Sequence, residues 1–251
     1  MHQWPANVKT LSIDVGGSGV KATVLDSQGE MVADRVRIPT PYPCPPEKLI
    51  EIVLELANQL PKADRASLGF PGLVRNGIVL HVPSLSRSIK DGPMDPVYKE
   101  MWFKFDLQTE LAKVLNIPTK VANDADVQGS AVIKGEGLEF VMTLGTGVGS
   151  ALFQDGVLIP HLELGHAPFR NNEEFEEQLN NASRERIGVE RWTKRVKKAV
   201  KAYDQFLFFD HCYVGGGNSK HLKDLDLGPK VTKVSNKAGL LGGIRLWELD
   251  K

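Results

Sequence analysis

Two stretches of this chain have the residue types and spacing to hold an anion. Residues 139–153 read as an apolar strand running into Gly145, Thr146 and Gly147, turning at Gly149 and leaving as a second apolar strand. Residues 11–25 repeat the arrangement: a strand ending in Asp14 and Val15, a turn of Gly16, Gly17, Ser18 and Gly19, and a returning strand that begins Val20, Lys21. Glycines at such turns admit positive φ and let a ligand approach the main chain closely. Successive N–H groups in the turn form a concave anion site, to which Thr146 adds a hydroxyl. One hairpin of this kind is more often a plain turn. Here each copy is followed by a short turn (Asp26 to Gly29, Gln154 to Gly156) and a further apolar run. Such self-similarity points to two related lobes with a cleft between them.

The rest of the chain has to position those turns. With 251 residues it can bury a core as one large domain or two small ones. Its 31 basic and 31 acidic residues balance, which gives no support for general nucleic-acid or membrane binding. Cys44 and Cys212 are too few and too far apart for a disulfide framework or a Cys-rich zinc site, so a reducing cytoplasm is expected. No apolar run is long enough to span a bilayer, and residues 1–5 lack a signal-peptide core.

Residues 8–39 predict three strands with tight turns, and 39–46 a proline-rich loop. Residues 47–60 carry Leu49, Ile50, Val53, Leu54, Ala57 and Leu60 at helical spacing. A short buried strand at 66–70 ends in Pro71-Gly72, and Asn76-Gly77 marks a hairpin. Residues 83–101 read as loop; Asp106 can cap a helix over 107–115, with a strand at 119–122 beyond. The second half repeats strand, hairpin and helix. A polar stretch at 170–186 reads as loop and short helix, followed by a helix within 189–209 with Trp192, Val196, Ala199, Tyr203 and Phe206 as its apolar stripe. A strand from Phe208 to Val214, a last strand at 231–235 and a small-residue helix opening at 236–243 complete an α/β pattern.

Five blocks then resemble the ROK-type sugar kinases, and within them the polyphosphate-dependent glucokinases: Asp14 to Lys21, Gly69 to Gly72, Asn123 to Asp126, Leu144 to Ser150 and Glu163 to His166. Gly215 to Lys220 and Asn236 to Gly239 add support. The resemblance implies a two-lobed, actin-like ATPase (ribonuclease H-like) fold with a cleft between a small lobe, residues 1–122, and a large lobe, residues 123–251, whose C-terminal helix packs back on the first lobe. It implies a cytoplasmic homodimer and a phosphoryl transfer from polyphosphate, ATP or both to the 6-hydroxyl of glucose.

The residue roles implied are as follows. Gly16, Gly17, Ser18, Gly19 and Lys21 with Gly145, Thr146, Gly147 and Gly149 hold donor phosphates, while Gly216, Gly217 and Asn218 belong to an adenosine-side loop. Asp14 faces Mg2+ through water; read without the resemblance, it is a turn-forming Asp. Asp124 is the general base, because a sugar hydroxyl is too weak an acid to ionise at neutral pH and needs an acceptor as bonding to phosphorus develops. Asn123 or Asp124 can also cap the helix that starts at Ala125. Gly72, Asn123, Asp124, Glu163 and His166 stand at sugar-side positions, and Glu176 fits a further one better than its neighbours Glu174 and Glu177. A carboxylate and an imidazole suit vicinal hydroxyls. No structural zinc is expected, since the cysteine cluster of zinc-bearing members is absent between Cys44 and Cys212.

One departure concerns the sugar. Family members place an Asn where this chain has Ser84, and a hydroxyl offers fewer hydrogen bonds than an amide. An ATP-only kinase for mannose or another hexose, and a weakly catalytic sugar-binding homologue, are the alternatives. A sugar-sensing repressor is disfavoured because the first hairpin begins too early to leave room for a DNA-binding module. The basic run Arg184, Arg186, Arg191, Lys194, Arg195, Lys197, Lys198 and Lys201 is either a track for a polyanion, with its lysines as candidates, or a solvated helix face.

Overall fold

The structure is a computed structural model and describes residues 4–222, 225–234 and 238–248. The fold is α/β and forms two compact units, residues 1–127 with 240–250 and residues 128–239.

The first unit runs β1 (Thr10–Gly16), β2 (Gly19–Leu25), β3 (Val36–Ile38), α1 (Pro46–Asn58), β4 (Arg65–Phe70), β5 (Leu73–Arg75), β6 (Ile78–His81), α2 (Pro96–Trp102), β7 (Phe105–Asp106), α3 (Leu107–Leu115) and β8 (Thr119–Asn123), after which α4 (Asp124–Ser130) carries the chain onward. Its main sheet has the order β3-β2-β1-β4-β8. β4, buried along its whole length, lies parallel to β1 and β8, as a strand covered on both faces must be apolar or small. α1 lays Leu49, Ile52, Val53 and Leu56 on that sheet, whereas Leu54 points outward.

Helix α2 lies within the stretch expected as loop. Asp95 accepts the Val97 N–H at 2.9 Å and Pro96 opens the first turn. What fixes the helix is remote. Trp102 is buried against Phe70 and Phe105 and donates its indole N–H to the Cys44 carbonyl. A stretch rich in Pro, Ser and charge gives no local sign of that anchor.

The second unit runs β9 (Leu138–Leu144), β10 (Val148–Gln154), β11 (Val157–Leu158), a 3-10 turn at Leu164–His166, β12 (Pro168–Arg170), β13 (Glu173–Glu174), α5 (Phe175–Leu179), α6 (Asn181–Ile187), α7 (Val189–Leu207), β14 (His211–Gly215) and β15 (Val231–Lys233). Its sheet order is β11-β10-β9-β14-β15. The pairing senses repeat those of the first unit: the first two strands antiparallel, and the parallel strands added on the other side of the first. The duplicated hairpin in the sequence is therefore the start of a duplicated sheet. α7 buries Trp192, Val196, Ala199, Val200 and Tyr203, while Phe206, expected in that stripe, is half exposed.

α8 (Ala238–Arg245) returns the chain to the first unit. A Cβ on Gly243 would come within 2.7 Å of Ser12 Oγ, and one on Gly242 would overlap the Val127 carbonyl, so these glycines let the helix lie directly on the first unit. Residue 235 of the expected last strand, and Asn236 and Lys237 of the expected helix, lie outside the described residues.

Candidate active site

In the first unit, Gly17 and Ser18 form the two-residue turn between β1 and β2. Its carbonyls are tied back by side chains from the next strand and loop. Thr40 Oγ1 donates to the Gly16 carbonyl at 2.6 Å, the Tyr42 hydroxyl to that of Gly17 at 2.7 Å, and Arg37 Nη2 to that of Ser18 at 2.8 Å. Among the described residues no protein group accepts the N–H of Gly17 or Ser18. Neighbouring amides without acceptors have the chemistry of an anion site. The glycines do not serve through positive φ, for neither turn contains any. They serve through close packing: a Cβ on Gly19 would stand 2.5 Å from Arg37 Nε, and one on Gly17 3.3 Å from the Tyr42 hydroxyl.

Asp14, at the end of β1, is well exposed, with Lys21 Nζ 3.3 Å from its Oδ2. One exposed carboxylate beside a phosphate turn fits Mg2+, which keeps most of its waters and binds through one or two carboxylates plus substrate phosphates. Among the described residues no group of three His, Cys, Asp or Glu is placed to hold a metal by itself.

Asp124 stands where β8 gives way to α4. The Asn123 amide donates to the Gly72 carbonyl at 2.9 Å. Asn123 Oδ1 and Asp124 Oδ1 both accept the Ala125 N–H, at 2.7 and 2.8 Å, so the capping role is shared between them. A helix N-terminus suits the negative charge. Gly72 lets the backbone close here, since a Cβ on it would lie 2.3 Å from the His81 carbonyl, while Gly69 packs against Asp124, a would-be Cβ standing 3.5 Å from Asp124 Cα. Ser84 lies beside the first turn, its Cβ 3.8 Å from where a Gly17 Cβ would be, and its buried hydroxyl has no hydrogen-bond partner among the described residues. Such an orphan is unfavourable unless a ligand completes it.

In the second unit the turn spans Gly145 to Gly147, closed by Gly145 N–H donating to the Gly147 carbonyl at 2.9 Å. The Gly145 carbonyl accepts from the Asn181 N–H at 3.0 Å and from Asn218 Nδ2 at 3.2 Å. Among the described residues the N–H groups of Thr146 and Gly147 have no protein acceptor. A Cβ on Gly145 would meet nothing within 4 Å. Gly149, expected at the turn, lies inside β10 opposite Thr143. Gly216 needs its glycine twice over, with φ +84° and a would-be Cβ 2.4 Å from the Leu144 carbonyl. The Gly215–Lys220 loop is thus packed against the strand that feeds the second turn.

The acidic candidates gather on the same turn. Gly165 lets the Leu164–His166 turn sit against β10, since a Cβ there would be 2.5 Å from the Val148 carbonyl. His166 Nδ1 is 2.7 Å from Glu174 Oε2, and that hydrogen bond holds the imidazole above its ordinary range. Glu177 accepts the Glu174 N–H at 2.8 Å and so closes the start of α5. Glu176 is half-buried, accepts the Val148 N–H, and lies 3.3 Å from where a Gly147 Cβ would stand. Burial raises its carboxyl above the usual range, with His166 opposing. Glu163 Oε1 is 3.5 Å from His161 Nε2. Of the three adjacent acids, Glu174 orients the imidazole, Glu177 caps, and Glu176 faces the turn.

The first unit therefore brings together Asp14, the first turn, Ser84, Gly72, Asn123 and Asp124. The second brings together Glu163, His166, Glu176, the second turn and Asn218. Arg37, Thr40, Tyr42 and Asn181, which clamp the turns, escape sequence reasoning. Each lies some 20 to 40 residues from what it holds, with no motif of its own.

Comparison with known proteins identifies the family and the fold. A model of the ROK family matches residues 10–178. A polyphosphate glucokinase of Mycobacterium tuberculosis (strain CDC 1551 / Oshkosh) is 28% identical over 218 residues, covering 83% of this chain and 77% of the relative. The crystal structure of an inorganic polyphosphate/ATP-glucomannokinase from Arthrobacter sp. strain KM superposes with a TM-score of 0.79 at 28% identity, covering 98% of this chain and 100% of the other. A ROK family glucokinase from Streptomyces griseus, solved with glucose and AMPPNP, has a TM-score of 0.70 at 17% identity, covering 95% and 98%, and shares the fold. With a family model spanning both glycine turns and Asp124, the chain belongs to the ROK family and is a sugar kinase of the actin-like ATPase fold.

Proposed function

We propose that this enzyme transfers a phosphoryl group from polyphosphate, ATP or both to the 6-hydroxyl of glucose, with Asp124 as general base. The observation that carries the reading is the fixed Gly72–Asn123–Asp124 unit at the end of β8. The Asn123 amide is bound to the Gly72 carbonyl, and one Asp124 oxygen is bound to the first N–H of α4, so the carboxylate is aimed rather than free to turn. Phosphoryl transfer asks a protein mainly for positioning and charge stabilisation. The first turn's carbonyls and those of Gly145 and Gly147 are already bonded within the protein, which leaves the amides of Gly17, Ser18, Thr146 and Gly147 for donor oxygens. Asp124 accepts the hydroxyl proton as the oxygen attacks phosphorus.

Glu163, His166 and Glu176 act as sugar ligands in this reading, and Ser84 gives its unpartnered hydroxyl to the hexose. Mg2+ at Asp14 would neutralise donor charge when bound. Support for the donor comes from the polyphosphate glucokinase and polyphosphate/ATP-glucomannokinase relatives, each at 28% identity. A coupled assay of glucose 6-phosphate formation, run with ATP and with long-chain polyphosphate, tests both halves. No product with either donor would sink the reaction; product with ATP alone would remove polyphosphate. Mannose in place of glucose tests the hexose, since Ser84 replaces the amide expected at that position.

A further inference from the structure

Residues 181–207 hold eight basic and three acidic side chains in a chain whose total charge is zero. The arginines among them converge. On α7, Arg191 and Arg195 lie one turn apart on the flank facing α6, away from the buried Trp192–Val196–Tyr203 stripe. Arg195 Nη1 reaches Ser183 Oγ of α6 at 3.4 Å. Burial, then Arg170 of β12, Arg186 of α6 and Arg191 together press the charged form of Arg195, with Glu173 opposing. Among the described residues no carboxylate forms an ion pair with Arg170, Arg186, Arg191 or Arg195. Midway along α6, Arg184 is mostly buried and already engaged: it is held by Asn181 at 2.6 Å and His221 at 2.7 Å and paired with Glu185 at 3.3 Å, so it stands apart from the cluster.

The lysines of α7 differ. Lys194 is 2.7 Å from Glu190 and Lys197 is 3.8 Å from Asp226, both exposed. Guanidinium groups collected without acids are unfavourable until an anion arrives, and their planar forks match phosphate oxygens. The cluster is also continuous with the second glycine turn. Asn181, the first residue of α6, donates its N–H to the Gly145 carbonyl, and α6 then spans about 10 Å toward α7.

We propose that Arg170, Arg186, Arg191 and Arg195 form a binding site for the trailing part of a linear polyphosphate chain whose reacting end lies at the Gly145–Gly147 turn. This rests on the polyphosphate reading above. A nucleoside triphosphate ends within reach of the turn and does not need the outer arginines; a long chain continues along α6 onto them.

The test uses the full-length protein and its Arg191→Glu/Arg195→Glu variant, checked for unchanged thermal melting. Both are titrated with linear polyphosphate of several tens of units and assayed with it and with ATP. Losing two phosphate contacts should lower the ratio of kcat/KM for polyphosphate to that for ATP by about tenfold or more, and should flatten the salt dependence of polyphosphate binding by about two in the log–log slope. An Arg191→Lys/Arg195→Lys variant should recover part of the loss. If the parent uses polyphosphate and the folded charge-reversal variant keeps the same ratio and slope, the site is wrong and the donor reading stands. If the parent turns over ATP alone, the donor reading falls. The site then survives only if the parent binds polyphosphate and the variant does not; absence of binding overturns both. Equal competition by a single-stranded RNA homopolymer would also overturn it, marking a general polyanion surface.

Discussion

In the β1–β2 turn, three carbonyls accept hydrogen bonds from side chains of residues 37–42, a guanidinium and two hydroxyls. In the β9–β10 turn, one carbonyl takes both a backbone N–H and a side-chain amide, and the turn closes on itself. The first turn is packed so tightly that a methyl group on Gly19 or Gly17 would strike Arg37 or Tyr42; the second leaves Gly145 open. Their electrostatic company differs too. The first has Asp14 and Lys21 at its base, the second has half-buried Glu176 against Gly147. The same sheet topology thus yields two turns with amides lacking an acceptor among the described residues, held by different means. In the proposed reaction both turns meet donor phosphate, the first beside an exposed carboxylate that would hold Mg2+ and the second beside the sugar-side Glu176.

The largest expected effect separates the units by chemistry. Asp124→Asn should keep the fold and sugar binding but lower kcat by a factor on the order of 10² to 10⁴, the usual share of a general base. Near-normal turnover in that variant would take Asp124 out of the mechanism and leave the first unit with donor binding alone.

Gly145→Ala tests whether the open turn is open for a ligand. Nothing in the protein meets the added methyl, so stability should stay within about 0.5 kcal/mol. If donor phosphate approaches there, the donor KM should rise about tenfold, the loss expected for one displaced charge-assisted hydrogen bond. An unchanged donor KM would show that only the first turn binds phosphate.

The clamps can be compared directly. Thr40→Val removes the hydroxyl that holds the Gly16 carbonyl and should cost about 1 kcal/mol by urea denaturation. Asn218→Ala should cost less, because the Asn181 N–H still holds the Gly145 carbonyl. The reverse order would show the second turn to be the more tightly held.

The smallest effect concerns pH. His166 is raised above its unfolded value chiefly by Glu174, so its favourable pairing is fully present below about pH 6.5 and is lost as pH rises through the higher folded value. Glu174→Gln should bring the His166 titration, followed by NMR, back down toward that ordinary value. A titration that does not move would show that another group holds the imidazole.

Much of this was readable in the chain itself. Strand, glycine turn and strand are local, so their duplication was visible at residues 11–25 and 139–153, and it carried the class and the family. Asp14 and Asp124 were visible for the same reason, each at the end of an apolar strand. The stripe of α7 followed from helical spacing, apart from Phe206 beyond its buried end.

Other features needed the tertiary structure because their causes lie far apart in sequence. Helix α2 is set by Trp102 burying against Phe70 and bonding Cys44. Glu174, Glu176 and Glu177 are equivalent as letters and separate only when α5 turns one to His166, one to the β10 turn and one to its own N-terminus. Glycine in the turns read as freedom to take positive φ, yet at Gly17, Gly19 and Gly147 it serves close packing, which depends on Tyr42, Arg37 and Glu176 arriving from other elements. The basic run from Arg184 to Lys201 read as either a polyanion track, with its lysines as candidates, or a solvated helix face. Folding instead gathers arginines from β12, α6 and α7, because like charges three elements apart become neighbours only when the helices pack.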